Sequence, residues 1–213
     1  MKRFFSILIL SMAMLPLTGH ARTIVDLFAT EPGDLFPLLT RTSRLDMVDY
    51  YKSGQVVDMR NNLTGESRLL EMDSAYLKVQ TSGSRVVEML MRKAGKDTVI
   101  TVIETVMTPV PDSRLTQWNV HWQRFTSEKL FKMPVIDDFV IGRMPEQLRA
   151  DLEAAVIFPL VELTFGGNDH QTVQARHGIE RFLVPEEYKR FSDYLKPLLE
   201  YRFDGLKIKP ARK

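Results

Sequence analysis

Cysteine is absent from all 213 residues of the chain. Its absence excludes a disulfide scaffold, a thiol enzyme, and zinc or iron–sulfur sites built on thiolates. Histidine is scarce at four residues, so an imidazole-rich metal site has little to draw on. Nothing comparable to the apolar run near the N-terminus follows residue 17, which excludes a polytopic membrane protein. Low-complexity tracts are also missing. With 44% hydrophobic and 26% charged residues, the composition is that of a globular protein, not a disordered chain.

The first 21 residues read as a secretory signal. Lys2 and Arg3 give a basic start, Phe4 to Leu17 an apolar run interrupted by Pro16, and Gly19-His20-Ala21 a small-residue end that expects cleavage after Ala21. The run is shorter than a spanning helix needs, so no transmembrane anchor is expected after cleavage. No cysteine follows it to carry a lipid. The expected product is an exported periplasmic or cell-envelope protein, a single domain over residues 22–213. Cleavage removes Lys2 and Arg3 and no acids, which leaves 27 basic against 27 acidic side chains. Nucleic-acid binding needs a surplus of Lys and Arg, so none is expected. Lys207, Lys209, Arg212 and Lys213 read as a solubilising tail.

Ile24-Val25-Asp26-Leu27-Phe28 reads as extended. Ser43 is expected to cap a helix to about Ser53, with Gly54 as its stop. From Val56 to Phe125, short β-rich runs alternate with turn clusters at Asn61–Gly65, Thr81–Ser84, Ala94–Asp97 and Pro109–Asp112. That spacing predicts an antiparallel meander. Thr98 to Met107 carries Val or Ile on both faces, as a central strand does. Leu115 to Phe125 reads as one strand with Trp118, Val120 and Trp122 on its core side. Pro145 opens a helix bearing Leu148, Leu152, Ala155 and Val156. Val156–Phe165 reads as an edge strand, Thr172–Val184 as a return strand, Pro185 as the start of a last helix, and Glu200–Ile208 as one final strand. The fold class is α+β: an antiparallel β-meander sheet of about five to seven strands, with helices packed on one face, namely those at Ser43 and Glu186.

Two blocks, Leu35-Phe36-Pro37-Leu38-Leu39-Thr40 and Arg44-Leu45-Asp46-Met47-Val48-Asp49-Tyr50-Tyr51-Lys52-Ser53-Gly54, resemble the domain-of-unknown-function 3256 family of exported bacterial proteins. The Val99–Val106 strand leading to Pro111-Asp112-Ser113, and Trp122 after it, resemble the same family. The resemblance implies an exported α+β protein and assigns no activity, substrate or catalytic residue.

Several residue sets could carry chemistry. Asp169, His170 and His177 have the side chains of a divalent-metal site. Positions seven apart on one strand point to opposite faces, however, and Asp after Gly-Gly-Asn is an ordinary turn residue. Gly166 and Gly167 lack the following helix that a phosphate cradle uses. Ser84 and Ser113 lack the strand–elbow–helix setting of a nucleophile. Asp46 and Asp49 share a helical face, and Asp137-Asp138 reads as a solvated loop pair. Asp73-Ser74-Ala75 and Asp97-Thr98-Val99 match a short acidic-hydroxyl-apolar pattern of O-glycosylation acceptors in exported bacterial proteins, which requires a surface hydroxyl.

No catalytic residue, cofactor or metal is therefore expected, with Asp169, His170 and His177 as the set to check. The function expected is a non-catalytic binding or structural module for an envelope protein, peptide or glycan. The alternative is a periplasmic hydrolase with a loop-borne site.

Overall fold

The computed structural model describes residues 22–158 and 160–211, so the expected signal segment and its cleavage after Ala21 lie outside the described residues. Where extended backbone was expected, the chain begins with helix α1 (Ile24–Thr30). The local reason is a reciprocal cap. Thr23 Oγ1 accepts from Asp26 N at 3.1 Å, and Asp26 Oδ2 accepts from Thr23 N at 2.9 Å. Helix α2 (Arg41–Lys52) starts before the expected Ser43 because Thr40 is the cap, its Oγ1 accepting from Ser43 N at 3.1 Å. Gly54, at φ +80°, stops it as expected.

The meander follows, as the turn clusters foretold. Strands β1 (Met59–Arg60), β2 (Glu66–Met72), β3 (Tyr76–Ser82), β4 (Arg85–Ala94), β5 (Asp97–Val106) and β6 (Asp112–Asn119) pair antiparallel in sequence order. β4 and β5 are both interior strands and pair in continuous register from Arg85↔Val106 to Ala94↔Asp97. β6 stops short of its expected length. Asn119 Oδ1 accepts from His121 N and Gln123 N, and Trp122 sits at φ +60°, so the chain turns there. Trp118, Val120 and Trp122 nonetheless pack, half-buried, against the core beside α1 and α2.

After the short α3 (Ile136–Phe139) comes α4 (Glu146–Ala155), which buries Leu152. A second, four-stranded sheet follows, in the order β10-β9-β8-β7. β7 (Val161–Gly166) and β8 (Thr172–His177) are shorter than expected. β8 yields to α5 (Ile179–Phe182), and α6 (Pro185–Ser192) begins at Pro185 as foreseen. The single last strand expected over Glu200–Ile208 is a hairpin, β9 (Leu199–Asp204) and β10 (Lys207–Pro210). Asp204 pairs with Lys207 across a two-residue loop in which Gly205 takes φ +57°.

The first sheet is buried on both faces. On one, Leu77, Val79, Val87, Met89, Ile100 and Val102 meet Ile24, Leu27 and Phe28 of α1 and Met47 and Val48 of α2. On the other, Tyr76, Leu90 and Ile103 meet Leu163, Phe165, Val173 and Tyr201 of the second sheet. Each such large apolar side chain contributes roughly 1.5–3 kcal/mol. The helix containing Glu186 therefore does not join α2 on one face; Phe191 of α6 packs in the second cluster. β7 crosses the strands of the first sheet, starting beside Asp112 of β6 and ending beside Glu88 of β4.

Candidate functional site

The three candidate metal ligands are not brought together. His170 lies in the turn joining β7 to β8, whereas His177 is at the far end of β8, and Asp169 is exposed. His170 takes φ +55° and stacks on Tyr76 at 3.7 Å between centroids, with Nε2 3.5 Å from Asp73 Oδ2 and 3.9 Å from Glu71 Oε1. His177 lies edge-on to Phe139 at 5.1 Å, and burial holds its pKa below the ordinary imidazole value. Gly167 turns the chain at φ +80° with no helix after it, and Gly166 lets the Gln174 side chain lie against the backbone.

The carboxylates and serines have local partners or face water. Asp46 and Asp49 point to solvent from α2. Asp137 pairs with Arg149 at 2.6 Å, and Asp138 Oδ2 accepts from Val135 N. Ser84 is exposed in the β3–β4 turn. Ser113 is 8% exposed; its Oγ accepts from Leu163 N at 2.8 Å and lies 2.8 Å from Thr105 Oγ1. Among the described residues its hydroxyl has no hydrogen bond to a base that could activate it.

Ser113 belongs to a row that sequence reading did not find. β7 is an edge strand, and alternate N–H groups on its free side need acceptors. Val161 N donates to Asp112 Oδ1 at 3.3 Å, Leu163 N to Ser113 Oγ, and Phe165 N to Glu88 Oε2 at 3.4 Å. Glu88, 3% exposed, also accepts from Tyr76 Oη at 2.9 Å and lies 3.4 Å from Lys78 Nζ. Burial first, and the Glu88 charge next, push the Tyr76 hydroxyl far above its usual pKa, so it remains a donor.

A second buried pair locks the N-terminal helices. Arg44 Nη1 donates to Glu31 Oε2 at 3.0 Å and Nη2 to the Glu31 carbonyl at 2.9 Å, while the Glu31 carboxylate also accepts from Gly33 N and Leu35 N. The guanidinium sits 5.9 Å from the ring centroids of both Phe28 and Phe36.

A cavity of about 560 Å³ opens beside β9 where β10 ends. Lys196 and Arg202 bring positive charge to its wall, Asp138 and Glu200 negative charge, and Leu198, Leu199 and Pro210 apolar surface. Tyr201 lines it as well. Burial and then the Asp138 charge push the Tyr201 hydroxyl up to about 12.

Residues 17–208 match the family described as "Protein of unknown function (DUF3256)". The chain belongs to this family. No curated protein matches the chain. A solved domain of an uncharacterized protein from Porphyromonas gingivalis W83 shares the fold, with a TM-score of 0.76 at 22% identity over 87% of this chain and 97% of that one. The blocks that carry the DUF3256 resemblance have structural work to do here. Arg44 opens one block and holds Glu31, and Asp112-Ser113 caps the edge of β7. No helix among the described residues is long and apolar enough to cross a membrane.

Proposed function

We propose that this DUF3256 protein is exported to the cell envelope and binds an extended peptide in the cavity beside β9. The observation that carries the reading is the cavity itself. Its volume of about 560 Å³ suits a short peptide segment better than a single water cluster. A peptide presents charges of both signs, amide donors and acceptors, and apolar side chains, and the wall offers counterparts for each in Lys196, Arg202, Asp138, Glu200, Leu198 and Leu199. A whole folded partner calls for about 800 Å² of surface on each side, which a notch does not offer.

The reading is tested by site-specific photo-crosslinking in the native envelope. A photoreactive side chain placed at Arg202 should trap a peptide-bearing partner, and the same group at exposed Leu63 should not. Crosslinks from Leu63 alone, or to glycan from Arg202, would overturn it. Export is tested by the mature N-terminus, expected at Arg22.

A further inference from the structure

Three places in the chain put a serine or threonine directly after an aspartate, namely Asp73-Ser74, Asp97-Thr98 and Asp112-Ser113. The structure separates them sharply. Ser113 is buried and bonded on both sides by Leu163 N and Thr105 Oγ1. Thr98 lies in the β4–β5 ladder opposite Lys93, and its Oγ1 accepts from Lys93 Nζ at 2.9 Å. Ser74 is exposed at the apex of the β2–β3 turn.

That turn holds its backbone and leaves the serine outward. Asp73 N donates to the Tyr76 carbonyl at 2.9 Å, and Asp73 Oδ1 accepts from Ala75 N at 2.6 Å and Tyr76 N at 2.8 Å. Asp73 Oδ2 points toward His170 Nε2, and Tyr76 is fixed by Glu88. No hydrogen bond to Ser74 Oγ exists among the described residues, so the turn presents one unengaged hydroxyl between two anchored neighbours. Asp73 remains half exposed, with 51% of its side chain in contact with solvent, so a transferase can read it beside the acceptor without unfolding the hairpin. Ala75 completes the acidic-hydroxyl-apolar order.

We propose that Ser74 is the attachment site of an O-linked glycan. The proposal rests on the export reading above, because the donor is a lipid-diphosphate-linked sugar of the envelope. Ser74 Oγ attacks the anomeric carbon of that sugar. The C1–Oγ bond forms as the bond from C1 to the phosphate oxygen breaks, the lipid diphosphate leaves with the electron pair, and the serine proton passes to a base of the transferase. Nothing is oxidised or reduced. A glycan there extends into solvent from the end of the β2–β3 hairpin and displaces no packed side chain.

The test uses the full chain produced in its own cell type and purified from the envelope, read by N-terminal sequencing and intact mass. The expected result is an N-terminus at Arg22 with a mass above that of the bare polypeptide, the excess being released by alkaline β-elimination. The excess should vanish in Ser74→Ala, persist in Ser74→Thr and persist in Thr98→Ala. An Arg22 terminus with a bare polypeptide mass overturns the glycan site and leaves export standing, as does excess mass that survives Ser74→Ala. A retained Met1 overturns export, and the glycan site with it.

Discussion

Leu163 N donates to Ser113 Oγ at 2.8 Å, so a serine that resembles a candidate nucleophile is a fastener between two sheets. Removing the hydroxyl leaves a buried amide without an acceptor, and Thr105 loses its partner at the same stroke. Ser113→Ala should therefore cost about 1–3 kcal/mol. Urea denaturation of the mature chain measures this directly; an unchanged midpoint would mean that the amide finds water and that the capping row is unimportant.

The Arg44–Glu31 pair should matter more. Arg44→Leu strands a carboxylate that is almost wholly buried, at a cost of roughly 3–5 kcal/mol. Glu31→Gln should be milder, because the amide oxygen can still accept from Gly33 N or Leu35 N. Equilibrium unfolding of both variants checks the order, and equal losses would show that charge pairing is not what holds α1 to α2.

The meander was legible because its signals are local. Asn61–Gly65, Thr81–Ser84 and Ala94–Asp97 each fall where a strand ends, and Val or Ile on both faces of Val99–Ile103 reports burial on both faces. Ile24–Phe28 misled because its apolar spacing suits a strand as well as a helix, and the deciding contact is the Thr23–Asp26 cap. Glu200–Ile208 misled because alternation runs on both sides of Gly205, and only the phase shift there, from Tyr201 and Phe203 to Leu206 and Ile208, marks the turn. The polar sites were not legible at all. Glu88 meets Phe165 across 77 positions of sequence, and no local pattern reports a partner at that distance. The cavity beside β9 likewise depends on where β10 ends, which follows from a hairpin that the alternation concealed.

Gly178 occupies a place where a methyl group has no room. A Cβ there would collide with Val110 Cγ1, although the backbone itself is unstrained. Gly178→Ala should then destabilise by about 1–3 kcal/mol, as overpacking does. Adding Val110→Ala removes the obstructing atom, so the double variant should lose less than the sum of the two single losses. Strict additivity in a double-mutant cycle would place the cause elsewhere than in this contact.

Tyr201 links the cavity to an alkaline transition. Its hydroxyl is held up to about 12, first by burial and then by the Asp138 charge, against about 10 for a free tyrosine. Below pH 10 both the folded and the unfolded chain keep the proton, and the stabilising contribution is fully present. Between about 10 and 12 the unfolded chain gives up the proton while the folded chain retains it, so that contribution falls as pH rises and is gone above the folded value. The wild type should therefore lose stability relative to Tyr201→Phe across this window, by an amount of order 2 kcal/mol. Absorbance of the phenolate gives a second reading on the same residue, since one late-titrating tyrosine should disappear in Tyr201→Phe while the folded signal persists. If a peptide binds beside β9 as proposed, it will displace water from the Tyr201 hydroxyl without removing Asp138, and saturating peptide should delay the ionisation further. A titration unchanged on adding the bound peptide would place that peptide away from Tyr201 and remove the cavity from the binding account.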